Sequence, residues 1–147
     1  MSTQAWQQLA PPDVRGAAVA VWRWRISRPA QLTAARVQLR ERLAGARLPA
    51  GTDDDVDRLL LTFEELASNG LRHTGRPVTA TVTGTGEGWL VEVSDARPDS
   101  PPVPAVDRDP AFGGLGLHLV ARLAVQHGWT ARGARKHVWA CLQRSRA

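Results

Sequence analysis

The sequence predicts an α+β fold, a two-layer sandwich in which helices pack on one face of a mostly antiparallel, mixed sheet. Three observations favour it: a strand pattern comes first, two long amphipathic helix patterns follow, and strand pairs lie before and after a third helix. Elements that occur in runs, rather than in strict strand–helix alternation, favour helices on one side of an antiparallel sheet. The 147 residues fit a single domain, because one hydrophobic core suffices at that length.

The first segment and the first strand have different patterns. Residues 1–18 contain a proline pair and a glycine and are expected to form an irregular arm, so that the single domain spans 19–147. Residues 20–26 alternate apolar and charged side chains, which is the period-two pattern of a half-buried strand.

A helix pattern follows this strand. Ser27 offers an N-cap, and the pattern continues to about Ala44, just before a glycine. The apolar stripe that should face the core consists of Leu32, Ala35, Leu39 and Leu43.

The second helix pattern has clear ends. Thr52 can cap it, and the three aspartates directly after Thr52 place negative charge at the N-terminus, where the helix dipole favours it. The helix is expected to run to about His73, where Gly75 and Pro77 stop it.

This second helix divides into an apolar side and a polar stripe. An α-helix turns about 100° per residue, so Asn69 lies roughly 40° and His73 roughly 80° from Glu65 around the axis. Arg58 and Thr62 fall in the same sector. The opposite side carries the apolar residues Val56, Leu59, Leu60, Phe63, Leu66, Ala67 and Leu71.

The polar stripe has two interpretations. Most stripes of this kind are solvated faces of amphipathic helices. The alternative is a site in which Asn69 offers an amide oxygen to Mg²⁺ and Glu65, one turn earlier, acts as a base for phosphoryl transfer. The remaining motifs decide between the two.

Two strands, a long loop and a closing unit complete the chain. Residues 78–83 and 89–94 are predicted strands joined by a glycine-rich hairpin. The proline-rich loop over about 96–113 is long for a compact domain, which favours a role such as a lid. A helix is expected from the glycines at the end of this loop to about His127. Two strands follow it, over 129–131 and 137–142.

Composition excludes several classes of protein. With 43% hydrophobic and 22% charged residues the chain should fold, and no apolar run is long enough to cross a membrane. The start lacks the basic and apolar regions of a signal peptide, so we expect a cytoplasmic protein. The single cysteine, Cys141, allows no internal disulfide and is expected to be a buried, inert thiol.

The chain is basic, and arginine supplies nearly all of the basic residues. The net charge is +5, and Lys136 is the only lysine. The arginines are scattered along the sequence, which disfavours direct binding of nucleic acid. An acidic protein partner or a polyphosphate ligand explains the charge equally well.

Several segments together resemble the Bergerat-fold (GHKL) ATPase superfamily. Residues 63–73 (FEELASNGLRH) are similar to the motif in which a glutamate precedes a metal-binding asparagine by four positions. Residues 89–95 resemble the strand that delivers an adenine-reading aspartate, and residues 113–117 (GGLGL) resemble the glycine motif after the ATP lid. Residues 136–139 (KHVW) resemble the closing strand of the short bacterial anti-sigma-factor serine-kinase branch. The resemblance covers roughly residues 20–143.

The resemblance implies ATP and Mg²⁺ as cofactors and assigns roles by position. Asn69 would be the Mg²⁺ ligand, Glu65 the catalytic base and Asp95 the acceptor for the adenine amino group. The backbone of the glycine motif would lie against the phosphates, because glycine lets N–H groups approach closely and the following helix adds positive charge. The residues of this motif are Gly113, Gly114, Leu115, Gly116 and Leu117.

Three further residues, His73, Arg97 and His137, are expected beside the nucleotide. The family usually has glycine where this chain has Arg97, and members of the branch commonly have threonine where it has His137. These two differences leave the geometry of the adenine pocket open. His73 has a second interpretation, as a helix C-terminal residue that interacts with the dipole.

The resemblance implies a regulatory protein. Members of the branch bind a sigma factor and use ATP to phosphorylate a serine on an anti-sigma-factor antagonist, which makes them serine/threonine-protein kinases. The expected partners are therefore a sigma factor, the antagonist or both, and a homodimer is expected because such proteins often pair. Arg97 and His137 keep an alternative open: a nucleotide-binding or catalytically inactive module that sequesters a regulator without phosphoryl transfer.

Overall fold

The computed structural model describes residues 6–45, 52–99, 101–102 and 115–145. These residues form five strands and three α-helices. In chain order the elements are β1 (Ala20–Ile26), α1 (Pro29–Gly45), α2 (Asp53–Thr74), β2 (Val78–Gly84), β3 (Gly88–Asp95), α3 (Leu115–Leu123), β4 (Gln126–Arg132) and β5 (Arg135–Gln143).

The strands form one sheet in the order β1-β2-β3-β5-β4, and each neighbouring pair is antiparallel. The register places Asp95, the last residue of β3, opposite Lys136 of β5, and it places Ser94 opposite His137. Successive side chains of a strand point to opposite faces. Asp95 and Lys136 therefore lie on one face of the sheet, and Ser94 and His137 lie on the other.

The three helices cover one face of the sheet, which confirms the predicted α+β class. Leu39 of α1, Phe63 of α2 and Val120 of α3 are fully buried in the core that lies between the layers. The predicted apolar stripe of α1 is also confirmed, because all four of its residues are buried. No helix within the described ranges combines the length and apolar composition needed to cross a lipid bilayer.

The ends of α2 follow from local sequence. Thr52 Oγ1 accepts the N–H of Asp55 at 3.1 Å, and Asp55 Oδ2 accepts the N–H of Thr52 at 3.0 Å, which forms a capping box. At the other end Gly75 has a φ of 63°, and its N–H donates to the Leu71 carbonyl at 2.9 Å. Glycine adopts this left-handed conformation at little cost, so the helix ends there, one residue beyond the predicted His73.

The described part of the N-terminal arm packs against the sheet. Trp6 is 3% exposed, and its carbonyl accepts the indole N–H of Trp129 at 3.0 Å. Gln8 pairs with Trp129 in a single parallel bridge. The carbonyl of Leu9 accepts the indole N–H of the fully buried Trp139 at 2.7 Å. The arm therefore covers the edge strand β4 and part of the face of the sheet that the helices leave open.

The third helix is shorter than its pattern predicts. Helix α3 ends at Leu123 rather than near His127, and β4 begins at Gln126 rather than at Trp129. The N–H of Val125 donates to a carbonyl of β5 at 2.9 Å, where the pairing of β4 with β5 starts. No glycine or proline marks this change in the sequence. Pairing with a strand further along the chain decides where the helix ends.

Candidate functional site

The polar stripe of α2 is largely removed from solvent. Thr62 is fully buried, Asn69 is 2% exposed and Glu65 is half-buried. The Thr62 hydroxyl is satisfied within the helix, where it donates to the Arg58 carbonyl at 2.8 Å. A solvated amphipathic face therefore does not describe this stripe.

Asn69 carries a buried polar atom without a partner. Its Oδ1 is buried and accepts no hydrogen bond within the part of the chain that the structure describes. An unpaired buried acceptor costs roughly 1–3 kcal/mol, which a cation or a donor would recover. Gly70 lets this turn approach the sheet, since a β-carbon there would meet Cγ1 of Val78 at 2.9 Å and Cγ1 of Val93 at 3.4 Å.

Glu65 lies against the start of α3. Gly116 is the second residue of α3, and a β-carbon added to it would lie 1.8 Å from Oε2 of Glu65. The carboxylate therefore occupies space that only a glycine at this position leaves open. Burial raises the pKa of the Glu65 carboxyl, Arg72 opposes the rise and Glu64 adds to it. A raised pKa makes the carboxylate a stronger base.

Asp95 ends β3 with its carboxylate buried. Oδ1 accepts the backbone N–H of Arg97 at 2.8 Å. Oδ2 lies 3.4 Å from the Nζ of Lys136, and both of these side chains are 1% exposed. The turn after β3 and a side chain from β5 thus both hold the carboxylate that the family resemblance assigns to adenine.

The side chain of Arg97 links the end of β3 to the end of α2. Its Nη1 donates to the carbonyl of His73 at 2.9 Å, and the residue is exposed. The last carbonyls of a helix lack intrahelical partners, so a guanidinium is a suitable group for them. The structure therefore brings Arg97 and His73 together, beside the turn that holds Asp95.

His137 lies apart from this group. It follows Lys136 in β5, so its side chain is on the opposite face of the sheet from Asp95. There its Nδ1 lies 3.8 Å from Oε1 of Glu92, and burial lowers its pKa. The structure does not bring His137 to the other candidate residues, although the sequence analysis grouped it with them.

The glycine motif lies partly outside the described residues. Gly113 and Gly114 fall outside them, as do residues 100 and 103–112 of the expected lid. Leu115 is the first residue of α3, and the side chain of Leu117 is 1% exposed in the core. Leu117 therefore fixes the start of α3 to the core.

Lys136 is the residue that the sequence reasoning missed. The resemblance placed Lys136 in the closing strand but assigned the site position to its neighbour His137. Val138 is buried in the core, and side chains alternate along a strand, so Lys136 shares the face of Val138 and His137 does not. That alternation, in the one segment that contains a lysine, was the available signal.

A Mg²⁺ site built on α2 needs few protein ligands. Within the described ranges, no three His, Cys, Asp or Glu side chains are grouped so that they could hold a metal ion. Mg²⁺ does not require such a group, because one or two protein oxygens commonly hold it together with water and substrate phosphates. The buried, unpaired Oδ1 of Asn69 fits one such ligand.

Comparisons with known proteins identify relatives of the sequence and of the fold. The family described as histidine kinase-like ATPase domain matches residues 26–142. Among curated proteins there is no significant match. The structure is similar to the RsbU and RsbW domains of Rv1364c from Mycobacterium tuberculosis, with a TM-score of 0.62 and 16% identity. That similarity covers 87% of this chain, which spans only 33% of the M. tuberculosis chain.

A second solved structure is similar over nearly its whole length. It is a chain of the SiaB–SiaC complex from Pseudomonas aeruginosa, with a TM-score of 0.59 and 13% identity. The similarity covers 88% of this chain and 92% of that chain. At such identities the two solved structures establish a shared fold.

Proposed function

Because this chain belongs to the histidine kinase-like ATPase family, we propose that it binds ATP with Mg²⁺ and transfers the terminal phosphoryl group to a serine of a regulatory protein partner. One observation carries the proposal. The buried, unpaired Oδ1 of Asn69 lies one helical turn after Glu65, whose carboxylate contacts the first turn of α3. A ligand for a cation, a base and a helix N-terminus are groups that phosphoryl transfer uses in one place.

Asn69 is the proposed metal ligand. Its amide oxygen has no hydrogen bond to give up, so the cost of removing it from water is already part of the folded state. Phosphate oxygens and water would supply the remaining ligands, as is common for Mg²⁺. When bound, Mg²⁺ neutralises charge on the phosphates during transfer.

Glu65 is the proposed general base. The serine hydroxyl of the partner must lose its proton as the phosphoryl group moves to it, and a positioned carboxylate can accept that proton. Burial raises the pKa of Glu65, which strengthens it as a proton acceptor. The close contact with Gly116 fixes the carboxylate next to the segment proposed to meet the phosphates.

Asp95 and the start of α3 are proposed to hold the two ends of ATP. The carboxylate of Asp95 would accept the adenine amino group. The first backbone N–H groups of α3 have no intrahelical partners and carry the positive end of the dipole, which suits phosphate oxygens. Gly113 and Gly114, directly before that turn, would let the backbone approach the phosphates.

The proposed partners are an anti-sigma-factor antagonist and a sigma factor. The P. aeruginosa structure is a complex of two proteins, and the M. tuberculosis structure contains an RsbW domain. Helix α1 offers a surface, since Arg36 and Arg40 are exposed on it and Val37 is 52% exposed. An apolar side chain flanked by arginines suits an acidic protein partner. A homodimer remains an expectation from the family resemblance.

Two measurements test this function. Calorimetry with ATP, with and without Mg²⁺, should show binding that depends on the metal. Incubation of the chain with labelled ATP and a candidate antagonist that binds it should place label on a serine of the antagonist. Label that appears on the chain itself and never on the antagonist would contradict the proposed reaction.

A second candidate function is a module that binds nucleotide, or has lost it, and sequesters a regulator without phosphoryl transfer. Arg97 favours it, because it stands where the family usually has glycine and its guanidinium donates to the carbonyl of His73 at 2.9 Å. Tight ATP binding with no label on the antagonist, in the same assay, selects this function.

A further inference from the structure

A buried ion pair joins the end of β3 to β5 beside the proposed adenine site. Nζ of Lys136 lies 3.4 Å from Oδ2 of Asp95, and each side chain is 1% exposed. The sheet register sets the pair, because the two residues are directly opposite each other. Lys136 is the single lysine among 19 lysines and arginines. This buried position therefore holds a compact ammonium group in a chain that otherwise uses guanidinium groups.

Folding stability alone is a poor reason for such a pair. Two charges lose their hydration on burial, and an apolar pair of similar volume is often equally or more stable. The neighbouring positions on this face are apolar: Val93 precedes Asp95 by two residues and Val138 follows Lys136 by two, and both valines are buried. A buried ion pair that interrupts apolar positions is therefore weak evidence for stability and leaves room for another role of its charges.

The pair orients the carboxylate of Asp95 without saturating it. Oδ1 accepts the N–H of Arg97 at 2.8 Å, and Oδ2 faces the ammonium group of Lys136. An ionised carboxylate has about four lone-pair sites, so a further donor can still bind. The backbone N–H of Arg97 and the ammonium group of Lys136 thus hold the carboxylate from two sides before any ligand arrives.

We infer that Lys136 is a positioning residue for nucleobase recognition, whose ammonium group holds the Asp95 carboxylate where it accepts the 6-amino group of adenine. The inference rests on the proposed ATP binding. Without the ammonium group the buried carboxylate loses a partner and can turn toward other donors. It then no longer distinguishes a base that carries an amino group from one that does not.

A comparison of two nucleotides separates a role in base recognition from a general loss of nucleotide binding. The two are ATP and purine riboside triphosphate, which lacks the 6-amino group. Calorimetry gives the ratio of their dissociation constants. The wild-type chain should prefer ATP about ten- to hundredfold, the range of one hydrogen bond to a charged group. In Lys136→Met the ratio should fall to within about threefold of unity. Lys136→Arg keeps the charge and should retain a clearly higher ratio than Lys136→Met.

A matched control variant shortens another buried side chain of β5 that points to the same face of the sheet as Lys136. Leu142→Val shortens a side chain that is 5% exposed. Its affinities for ATP and for purine riboside triphosphate should change together, if at all, so that the ratio of the two dissociation constants stays at the wild-type value. Thermal unfolding shows which variants are folded. Lys136→Gln keeps a donor without the charge and takes the place of Lys136→Met if the latter unfolds. In Lys136→Gln the ratio of the two dissociation constants should be at least about threefold lower than in the wild-type chain.

The outcomes separate the role of Lys136 from the proposed function. A folded neutral variant with the wild-type ratio overturns the positioning role and leaves the proposed function standing. A wild-type chain that binds both nucleotides equally overturns the positioning role and the proposed adenine contact of Asp95, and it leaves the proposed phosphoryl transfer standing. A wild-type chain that binds neither nucleotide overturns the proposed function and the role of Lys136 with it.

Discussion

Gly116 and Glu65 occupy adjoining space: a β-carbon on Gly116 would lie 1.8 Å from Oε2 of the glutamate. No heavy atoms tolerate such a contact, so any larger residue at 116 must displace the carboxylate or the start of α3. One contact therefore positions both the proposed base and the helix end proposed to meet the phosphates.

Gly116→Ala should lower the rate of phosphoryl transfer by roughly 10² to 10⁴, the range of a lost general base, and should weaken ATP binding much less. The atoms that the methyl group would meet belong to the flexible side chain of Glu65, which is expected to move instead of the backbone of α3, and the proposed contact of Asp95 with adenine is not touched. Initial rates and calorimetry measure the two effects. Gly45→Ala is the matched control, because no atom of the described residues lies within 4 Å of the added carbon, and it should leave the rate unchanged. An unchanged rate in Gly116→Ala would remove the position of Glu65 from the mechanism.

The same contact should appear in folding stability, independently of activity. In a Glu65→Ala background the clash is absent, and the higher helix propensity of alanine should stabilise the protein by up to about 1 kcal/mol. In the wild-type background Glu65 has to move, so Gly116→Ala should be less favourable there. Denaturant unfolding of the four proteins gives the coupling free energy. Additive effects would show that the two residues do not share space in solution.

The pH at which the rate falls on the acid side of the pH–rate profile should depend on the charged residues around Glu65. Burial raises its pKa, Arg72 opposes the rise and Glu64 adds to it. A general base works deprotonated, so the rate falls as the pH drops through this pKa. Glu64→Gln should lower the pKa and move this fall in rate to lower pH, whereas Arg72→Met should move it to higher pH.

Shifts of a few tenths of a pH unit are expected, since charges near the surface interact weakly. The dependence of kcat/KM on pH measures them in the two variants and in the wild type. Shifts in one common direction would show that a group other than Glu65 titrates.

Local features of the fold were predictable from the sequence, and features that depend on strand register were not. The capping pair of Thr52 and Asp55 and the left-handed Gly75 act within a few residues of the helix ends, so a short window contains the whole signal. The end of α3 and the facing of Lys136 toward Asp95 depend on which strands pair and in which register. The alternation with Val138 shows which face Lys136 takes, but no short window of sequence shows where α3 ends or that Lys136 lies opposite Asp95.

The candidate site likewise has features that the local sequence predicted and features that only the three-dimensional structure shows. Helical periodicity grouped Glu65 with Asn69, but it could not show that the amide oxygen of Asn69 is buried, since burial depends on what packs around the helix. Arg97 stood out as a departure from the family's glycine. Its bond to the carbonyl of His73 joins two elements that are distant in the sequence and required the three-dimensional structure.

A second buried carboxylate fastens the C-terminal end of the described chain to α2. The N–H of Ser145 donates to Oδ2 of Asp55 at 3.0 Å, and its hydroxyl donates to Oδ1 at 2.8 Å. Burial alone would raise the pKa of Asp55, but hydrogen bonds from Thr52, Ser145 and Arg58 outweigh it and hold the pKa well below its usual range.

Asp55→Ala should lower the free energy of unfolding at neutral pH by about 2–3 kcal/mol, because a helix cap and buried hydrogen bonds are lost. A carboxylate whose pKa is lowered in the folded state stabilises above its unfolded pKa and loses that effect as the pH falls through the folded pKa. The difference in the free energy of unfolding between the wild type and Asp55→Ala should therefore become smaller below about pH 4. Urea unfolding across this range measures it, and Ser145→Ala, which keeps the cap, should cost only about 1 kcal/mol. A constant gap would contradict the pKa assignment.

Asn69→Ala should abolish the Mg²⁺ dependence of ATP binding while changing the free energy of unfolding by no more than about 1 kcal/mol, since Oδ1 has no hydrogen bond to lose. Calorimetry with and without Mg²⁺ measures the first effect, and urea unfolding measures the second. Ser68→Ala, at the preceding and half-buried position of α2, is the control and should retain the dependence. Equal metal dependence in both variants would rule out Asn69 as the ligand.

Arg97→Ala should leave the ATP affinity within about threefold of the wild-type value. The guanidinium is held at the end of α2 by the His73 carbonyl, and Asp95 depends instead on the backbone N–H of residue 97, which alanine keeps. Loss of an exposed hydrogen bond should lower the free energy of unfolding by about 0.5–1 kcal/mol. Arg97→Pro removes the N–H as well and should weaken ATP binding strongly, because Oδ1 of Asp95 loses its donor. Calorimetry on the two variants compares these contributions, and an equally large loss in Arg97→Ala would assign the nucleotide contact to the guanidinium rather than to the backbone.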